Sequence, residues 1–118
     1  MQMRMKGGVL VEGGVSKMGN RKTEYAGDIY HSKREADYAA ELNMRVRGKD
    51  IRGWERQVRL PLVVNGIQVA MYALDFVVEH LDGSKEYIEV KGHETAVWKL
   101  KWKLFEACYP DLKKTIVR

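Results

Sequence analysis

Three residues able to do acid–base and charge-stabilising chemistry are found in the second half of the chain: Asp75, Glu89 and Lys91. Asp75 stands in an apolar run, where its neighbours offer it no obvious solvent, so its carboxylate needs a partner. Glu89 and Lys91 are two residues apart and point the same way if this segment is a strand. A Glu-x-Lys pair alone is weak, because 10 Glu and 12 Lys residues give about one pair by chance.

Whether Asp75 and Glu89 can act together depends on the turn between their strands. With a two-residue loop at 82–83, the two acids lie on opposite sides of the sheet. With a three-residue loop at 81–83, whose glycine adopts a positive φ, Asp75 lies opposite Glu89 and shares its face. The turn residues are compatible with either loop, and only the longer one creates a shared site.

Two carboxylates that face each other across neighbouring strands predict a cation. At about 5 Å they cannot both ionise cheaply in a half-buried place unless a positive charge lies between them. Oxygen ligands of this kind suit Mg²⁺, and Mn²⁺ can substitute for it. A lysine beside such a pair can orient a water or stabilise charge on a phosphate oxygen. The combination predicts metal-dependent hydrolysis of a phosphodiester.

The elements that carry these residues follow from caps, turns and periodicity. Ser32 begins a capping-box pattern with Glu35, and the Asn65-Gly66 pair predicts a hairpin. The fold class is α/β, a single domain in which helices flank a central mixed sheet in the order α-β-β-β-α-β. The expected elements are a helix from Ser32 to about Arg47, strands at Trp54–Val64, Ile67–Val78 and Glu86–Lys91, a helix from about Thr95 to Tyr109, and a last strand at Thr115–Val117.

The second helix carries both apolar and basic residues. Lys99 and Lys103 are either solvated or in contact with phosphates, because the helix closely follows Lys91. Trp98 and Trp102 fit the edge of the core better than a base-stacking platform. The stripe expected to face the core is formed by Val97, Leu100, Leu104 and Cys108.

Length and composition exclude several classes of protein. The 118 residues suit one domain, and 45 % hydrophobic with 31 % charged residues indicates a soluble globular protein. No apolar run could span a membrane and no signal peptide is visible, so a cytoplasmic location is expected. The single cysteine excludes an internal disulfide and a cysteine-rich zinc site.

The basic charge of the chain is concentrated near its start. The net charge is +5, and residues 1–22 hold five basic side chains against one acidic one. We expect residues 1–24 to be a flexible, glycine-rich arm, with the domain at 25–118. Arg21 and Lys22 of this arm serve either to grip phosphates or only to maintain solubility.

The motif residues resemble the PD-(D/E)XK nuclease superfamily. Asp75 is followed 14 residues later by Glu89-Val90-Lys91, after a helix with Glu35 and before a lysine-rich helix. The stretch 27–118 is similar to a small phage-encoded branch of this superfamily. The resemblance implies a restriction-endonuclease-like fold and a Mg²⁺-dependent endonuclease that cleaves DNA to 5′-phosphate and 3′-hydroxyl ends in a bacterial host. A Holliday-junction resolvase acting on branched recombination intermediates is the favoured form.

Carried over to this chain, the resemblance assigns individual roles. Asp75, Glu89 and the Val90 carbonyl would be metal ligands, Lys91 the catalytic lysine, and Glu35 the helix-borne acid beside the metal. Ordinary alternatives exist, namely a capping role for Glu35 and a surface ion pair for Glu89 and Lys91.

Two further residues are candidates for lining the site, and two positions depart from the family pattern. Gln57 would line the site or be a plain polar strand residue, and His93 would contact a phosphate or only precede the helix. Leu74 replaces the usual proline, and His31 stands where an acid is often found. An RNA-directed nuclease, or a non-catalytic protein that binds nucleic acid or another partner, stays open, as does a homodimer.

Overall fold

Two sheets and two helices make up the described part of the chain. The computed structural model describes residues 10–15 and 21–118, with side-chain surroundings from Thr23 onward. In chain order the elements are β1 (Leu10–Val15), β2 (Arg21–Tyr25), β3 (Asp28–Tyr30), α1 (Lys33–Arg47), β4 (Ile51–Val64), β5 (Ile67–His80), β6 (Lys85–Val90), α2 (Ala96–Cys108) and β7 (Lys113–Val117).

The larger sheet has four strands in the order β4-β5-β6-β7. The β4–β5 and β5–β6 pairs are antiparallel, while β7 lies parallel to β6 after the α2 crossover. Asn65 and Gly66, both at positive φ, form the predicted two-residue turn between β4 and β5. The mixed sheet and the α-β-β-β-α-β order expected from residue 32 onward are confirmed.

A smaller antiparallel sheet, β1-β2-β3, precedes the first helix. Part of the arm predicted for residues 1–24 belongs to it, while residues 1–9 and 16–20 of that arm lie outside the described residues. Tyr25 and Tyr30 are buried in the same core cluster as α1. Tyr25 also accepts a hydrogen bond from Asn43 of α1 at 3.2 Å, so the sheet extends the core along this helix.

The first helix covers one side of the sheet with small and aliphatic residues. Ala36, Ala39 and Leu42 recur at helical spacing and are fully buried. They pack with Trp54 and Phe76, and the cluster also includes Val78, Ile88 and Val90 from the adjoining strands. Burial of this face fixes the orientation of α1, and with it the direction of Glu35.

The second helix covers the other side with aromatic residues. Trp98, Trp102 and Phe105 pack on Leu62, Tyr72 and Leu74, with Tyr87 of β6 at the margin. Since Tyr87 alternates along β6 with Ile88 of the other cluster, α1 and α2 lie on opposite faces of this strand.

The expected α2 stripe is wrong at its first two positions. Val97 and Leu100 are 67 % and 62 % exposed, whereas Leu104 and Cys108 are partly buried and pack against the core cluster that contains Trp98, Trp102 and Phe105. Both stripes have helical spacing, but three aromatic rings remove far more apolar area from water than the aliphatic alternative does. Neither described helix is long and apolar enough to cross a membrane.

Candidate active site

The strand register brings Asp75 and Glu89 to the same position along the sheet. Four pairs join β5 to β6, from Glu79 with Lys85 to Phe76 with Ile88. The loop has three residues, 81–83, and Gly83 has a φ of 90°. The next pair in this register is Asp75 with Glu89, so the longer of the two expected loops is confirmed.

Strands β5 and β6 stop pairing directly before Asp75 and Glu89. The β5–β6 ladder ends at Phe76, while β6 continues against β7 up to Val90 and Val117. Across the gap, the Val90 N–H donates to Asp75 Oδ2 at 2.8 Å. A side-chain carboxylate thus takes the place of a ladder hydrogen bond, and its other oxygen is left for a different partner.

Gln57 of β4 lies opposite Asp75 of the neighbouring strand β5. It falls between the pairs Arg56–Phe76 and Val58–Leu74 and has a φ of 55°, which is uncommon for a residue other than glycine. Leu74 packs on the α2 side and Phe76 on the α1 side, although residues two apart share a face in a regular strand. The hairpin therefore twists sharply at Asp75, beside the predicted site-lining residue Gln57.

The cap of α1 directs Glu35 toward the acids. Ser32 accepts the Glu35 backbone N–H at 3.1 Å, which begins the helix as the capping-box pattern predicts. The Glu35 side chain is only 9 % exposed, and its Oε2 has no hydrogen-bond partner among the described residues. Capping and approach to the site are thus compatible in one residue.

The three acids affect one another electrostatically. Burial and the charge of Asp75 raise the pKa of Glu35 from 4.5 to about 8, and the same causes raise the pKa of Glu89 to about 7. Burial raises the pKa of Asp75 from 3.8 to about 6, against the opposing Val90 hydrogen bond and Lys91. Without a cation the cluster therefore retains protons near neutral pH.

Trp98 and Tyr72 surround Glu89 from the α2 side. The Trp98 indole N–H lies 2.9 Å from Tyr72 Oη and 3.1 Å from Glu89 Oε2. Lys91 Nζ is 3.9 Å from the same Glu89 oxygen and 5.0 Å from the centre of the Trp98 ring. Glu89 Oε1 is buried and has no partner among the described residues. The sequence offered no sign of this role for Trp98, except that its helix begins close behind Lys91.

Arg56 is a second residue that the sequence did not single out. Its guanidinium carbon lies 4.0 Å from the centre of the Tyr30 ring, and the guanidinium donates to the Ile29 carbonyl at 3.2 Å. Its charge lowers the pKa of both Glu35 and Asp75. Arg56 therefore offsets part of the negative charge of the acids, held in place by β3, an element with no sequence signal.

The remaining candidates fall in different places. His93 lines a cleft between the start of α1 and the β6–α2 loop, together with Glu35 and Lys91. Lys99 and Lys103 are exposed on α2. Arg21 and Lys22 lie on β2, and their side chains are outside the described part of the structure.

The donor set fits a hard divalent cation in part. Within residues 10–15 and 21–118, no group of three or more His, Cys, Asp or Glu side chains forms a ready-made metal site. The ligands that the motif implies are the carboxylates of Asp75 and Glu89 and the backbone carbonyl of Val90. Only two of these three ligands are side chains. Oε1 of Glu89 and Oε2 of Glu35 are both buried and have no hydrogen-bond partner among the described residues, and each is an oxygen of the type that Mg²⁺ prefers.

A family model matches residues 15–118, which is most of the chain. The chain belongs to the DUF1064 family, described as a protein of unknown function. The DUF1064 match includes Glu35, Asp75, Glu89 and Lys91, together with Trp98. No curated protein and no solved structure matches the chain.

Proposed function

We propose that this DUF1064 protein is a Mg²⁺-dependent endonuclease that hydrolyses phosphodiester bonds in DNA, with a PD-(D/E)XK type of site. The observation that carries the proposal is the electrostatic coupling of Glu35, Asp75 and Glu89, with the Lys91 ammonium 3.9 Å from Glu89. Glu35 and Glu89 each have one buried oxygen without a partner among the described residues, and an ordinary surface ion pair does not account for these two oxygens.

Asp75, Glu89 and the Val90 carbonyl would hold the cation, with Glu35 beside them. When bound, the cation supplies Lewis acidity and a lowered pKa of bound water. A cleft lined by Glu35, Lys91 and His93 opens beside these residues, and it would admit the phosphate. Hydrolysis forms a bond from a water oxygen to phosphorus and breaks the bond to the 3′ oxygen, which leaves as a hydroxyl.

The other side chains have simpler tasks. Lys91 stabilises negative charge on a non-bridging phosphate oxygen and is kept in place by its 3.9 Å contact with Glu89. His93 and Lys99 would contact neighbouring phosphates, where positive charge adds affinity without reading sequence. Branched DNA is the proposed preferred substrate, on the resemblance to junction-resolving nucleases.

The decisive experiment compares wild-type protein with Asp75→Asn and Glu89→Gln, which keep the shape of each side chain and remove its charge. Supercoiled, linear, single-stranded and four-way-junction DNA, and RNA, are incubated with and without Mg²⁺. We expect cleavage of DNA by the wild type only with Mg²⁺, and loss of cleavage in both variants while they remain folded.

The same substrate panel separates the alternatives. Cleavage of RNA alone would make the protein a ribonuclease. Binding without cleavage of any substrate would favour a non-catalytic nucleic-acid-binding protein. Undiminished rates in both variants would exclude the acids as metal ligands.

A further inference from the structure

The Trp98 indole contacts both ends of the Glu-x-Lys pair. Its N–H is shared between Glu89 Oε2 at 3.1 Å and Tyr72 Oη at 2.9 Å, and its ring lies 5.0 Å from Lys91 Nζ. Trp98 is 8 % exposed, so these contacts are largely screened from water. One side chain thus contacts a candidate metal ligand through its edge and the candidate catalytic lysine through its face.

These contacts select between the two oxygens of Glu89. Because Oε2 accepts the indole N–H and lies 3.9 Å from Lys91, the carboxylate is held in one rotation. Its Oε1 is then buried without a partner among the described residues. The indole therefore leaves one oxygen of Glu89 available to an incoming cation and occupies the other.

Trp98 is itself held rigidly. Its backbone N–H is bound by the Thr95 side chain at 3.1 Å, which caps α2. Its ring stacks on Trp102 with centroids 5.7 Å apart. A rigid aromatic side chain on a capped helix can impose an orientation on Glu89, which a mobile surface contact cannot do.

We propose that Trp98 is a positioning residue for the active site: it orients the Glu89 carboxylate for metal binding and holds the Lys91 ammonium beside it. The inference rests on the proposed metal-dependent function. Groups that hydrogen-bond to metal ligands typically affect metal affinity or activity by about 10- to 100-fold.

The test uses Trp98→Phe, which keeps an aromatic ring beside Lys91 and removes the N–H. The matched control is Trp54→Phe, which also removes one buried indole N–H, because Trp54 is 2 % exposed and donates to Asn43 on the α1 side. Mn²⁺ affinity is measured by titration calorimetry, and cleavage is measured at several Mg²⁺ concentrations. We expect Trp98→Phe to weaken Mn²⁺ binding about tenfold or more and Trp54→Phe to leave it nearly unchanged.

A second measurement is made on the wild type itself. Its three tryptophan indole N–H signals are followed by ¹⁵N NMR as Mg²⁺ is added, with Trp98→Phe and Trp54→Phe used for assignment. We expect the Trp98 signal to shift with metal. The Trp54 signal should stay in place, because that indole donates to Asn43 at 3.1 Å, on the α1 side.

The outcomes separate this inference from the proposed function. Equal Mn²⁺ affinity in Trp98→Phe and wild type, an equal loss in both tryptophan variants, or an unmoved Trp98 signal on metal binding overturns the positioning role alone. A wild type that neither binds Mn²⁺ nor cleaves any substrate overturns the proposed function, and the inference with it.

Discussion

At the scale of single residues, the site is costly to the metal-free protein. Glu35 and Glu89 each hold a buried oxygen without a partner among the described residues, and burial raises the pKa of both carboxyls. A core built for stability alone would pair these atoms or replace them with apolar groups. Groups kept in this state are the ones expected to gain a ligand.

Lys91 should affect turnover far more than binding. We expect Lys91→Met to lower kcat by about 10² or more, the effect typical of removing one charge-stabilising donor from an active site, while DNA affinity is largely retained. Steady-state kinetics and a binding assay in Ca²⁺ measure the two quantities separately.

Lys99→Met is the contrasting variant, since Lys99 is exposed on α2. It should weaken DNA binding and reduce the salt dependence of that binding, with kcat near the wild-type value. If Lys91→Met instead lost affinity in step with activity, Lys91 would be a phosphate contact only.

The chemistry-bearing residues could be found from sequence because a charged residue in an apolar strand is conspicuous. Asp75 stands out in this way, whereas the Glu89–Lys91 pair is weak alone and depends on the β5–β6 register, which puts Glu89 opposite Asp75. Trp98 could not be found, because an indole in a helix indicates a core position whether or not its N–H serves a site. The role of Arg56 could not be predicted either, since the orientation of its guanidinium depends on contacts with strand β3, which the sequence did not predict.

At the scale of elements, both helices begin with a cap that also fixes a site residue. Ser32 binds the backbone N–H of Glu35 on α1, and Thr95 binds that of Trp98 on α2. In each helix the residue held by the cap is the one that reaches the acids. The helix starts are therefore part of the site's construction, and their sequence signals located both starts correctly.

Removal of the α1 cap should reduce both stability and activity. We expect Ser32→Ala to lower the free energy of unfolding by about 1 kcal/mol, because the Glu35 N–H loses its acceptor. Activity should fall as well, since the first turn of α1 no longer holds Glu35 in place. Urea unfolding and the cleavage assay measure the two effects.

Ser32→Thr keeps the hydroxyl and is the matched control. It should restore most of the stability and the activity that Ser32→Ala loses. Full activity in Ser32→Ala would show that the cap has no part in positioning Glu35.

The α2 stripe shows where element-level prediction failed. Two sets of residues on neighbouring faces of α2 had helical spacing, and periodicity alone cannot choose between them. The choice depends on what the sheet offers as a partner. Tyr72 and Leu74, together with Leu62, form a surface on which the aromatic rings of α2 pack.

At the scale of the whole molecule, folding stability of the metal-free protein should fall as the pH rises. A carboxyl whose folded pKa exceeds its unfolded value binds protons more tightly when folded, so its contribution is lost as the pH rises between the two values. For Glu35 this window runs from about pH 4.5 to about pH 8. Each unit of pKa difference corresponds to about 1.4 kcal/mol.

Urea unfolding midpoints at pH 5, 7 and 9, with and without Mg²⁺, measure this linkage. We expect the metal-free midpoint to decrease over this range, and Mg²⁺ to restore it most strongly at high pH. Glu35→Gln should flatten the metal-free profile, because the amide is neutral at every pH. A wild-type profile parallel to that of Glu35→Gln would contradict the buried-acid account.

The three-residue loop between β5 and β6 also limits which insertions and deletions the chain can accept during evolution. Residues 81 and 82 can be substituted as long as Gly83 keeps its positive φ, because the register depends on the number of loop residues and not on their identity. Gain or loss of one residue turns Asp75 and Glu89 to opposite sides of the sheet, although neither acid has mutated. If the proposed site is correct, natural relatives that retain it should differ here by even-numbered insertions or deletions, or by none.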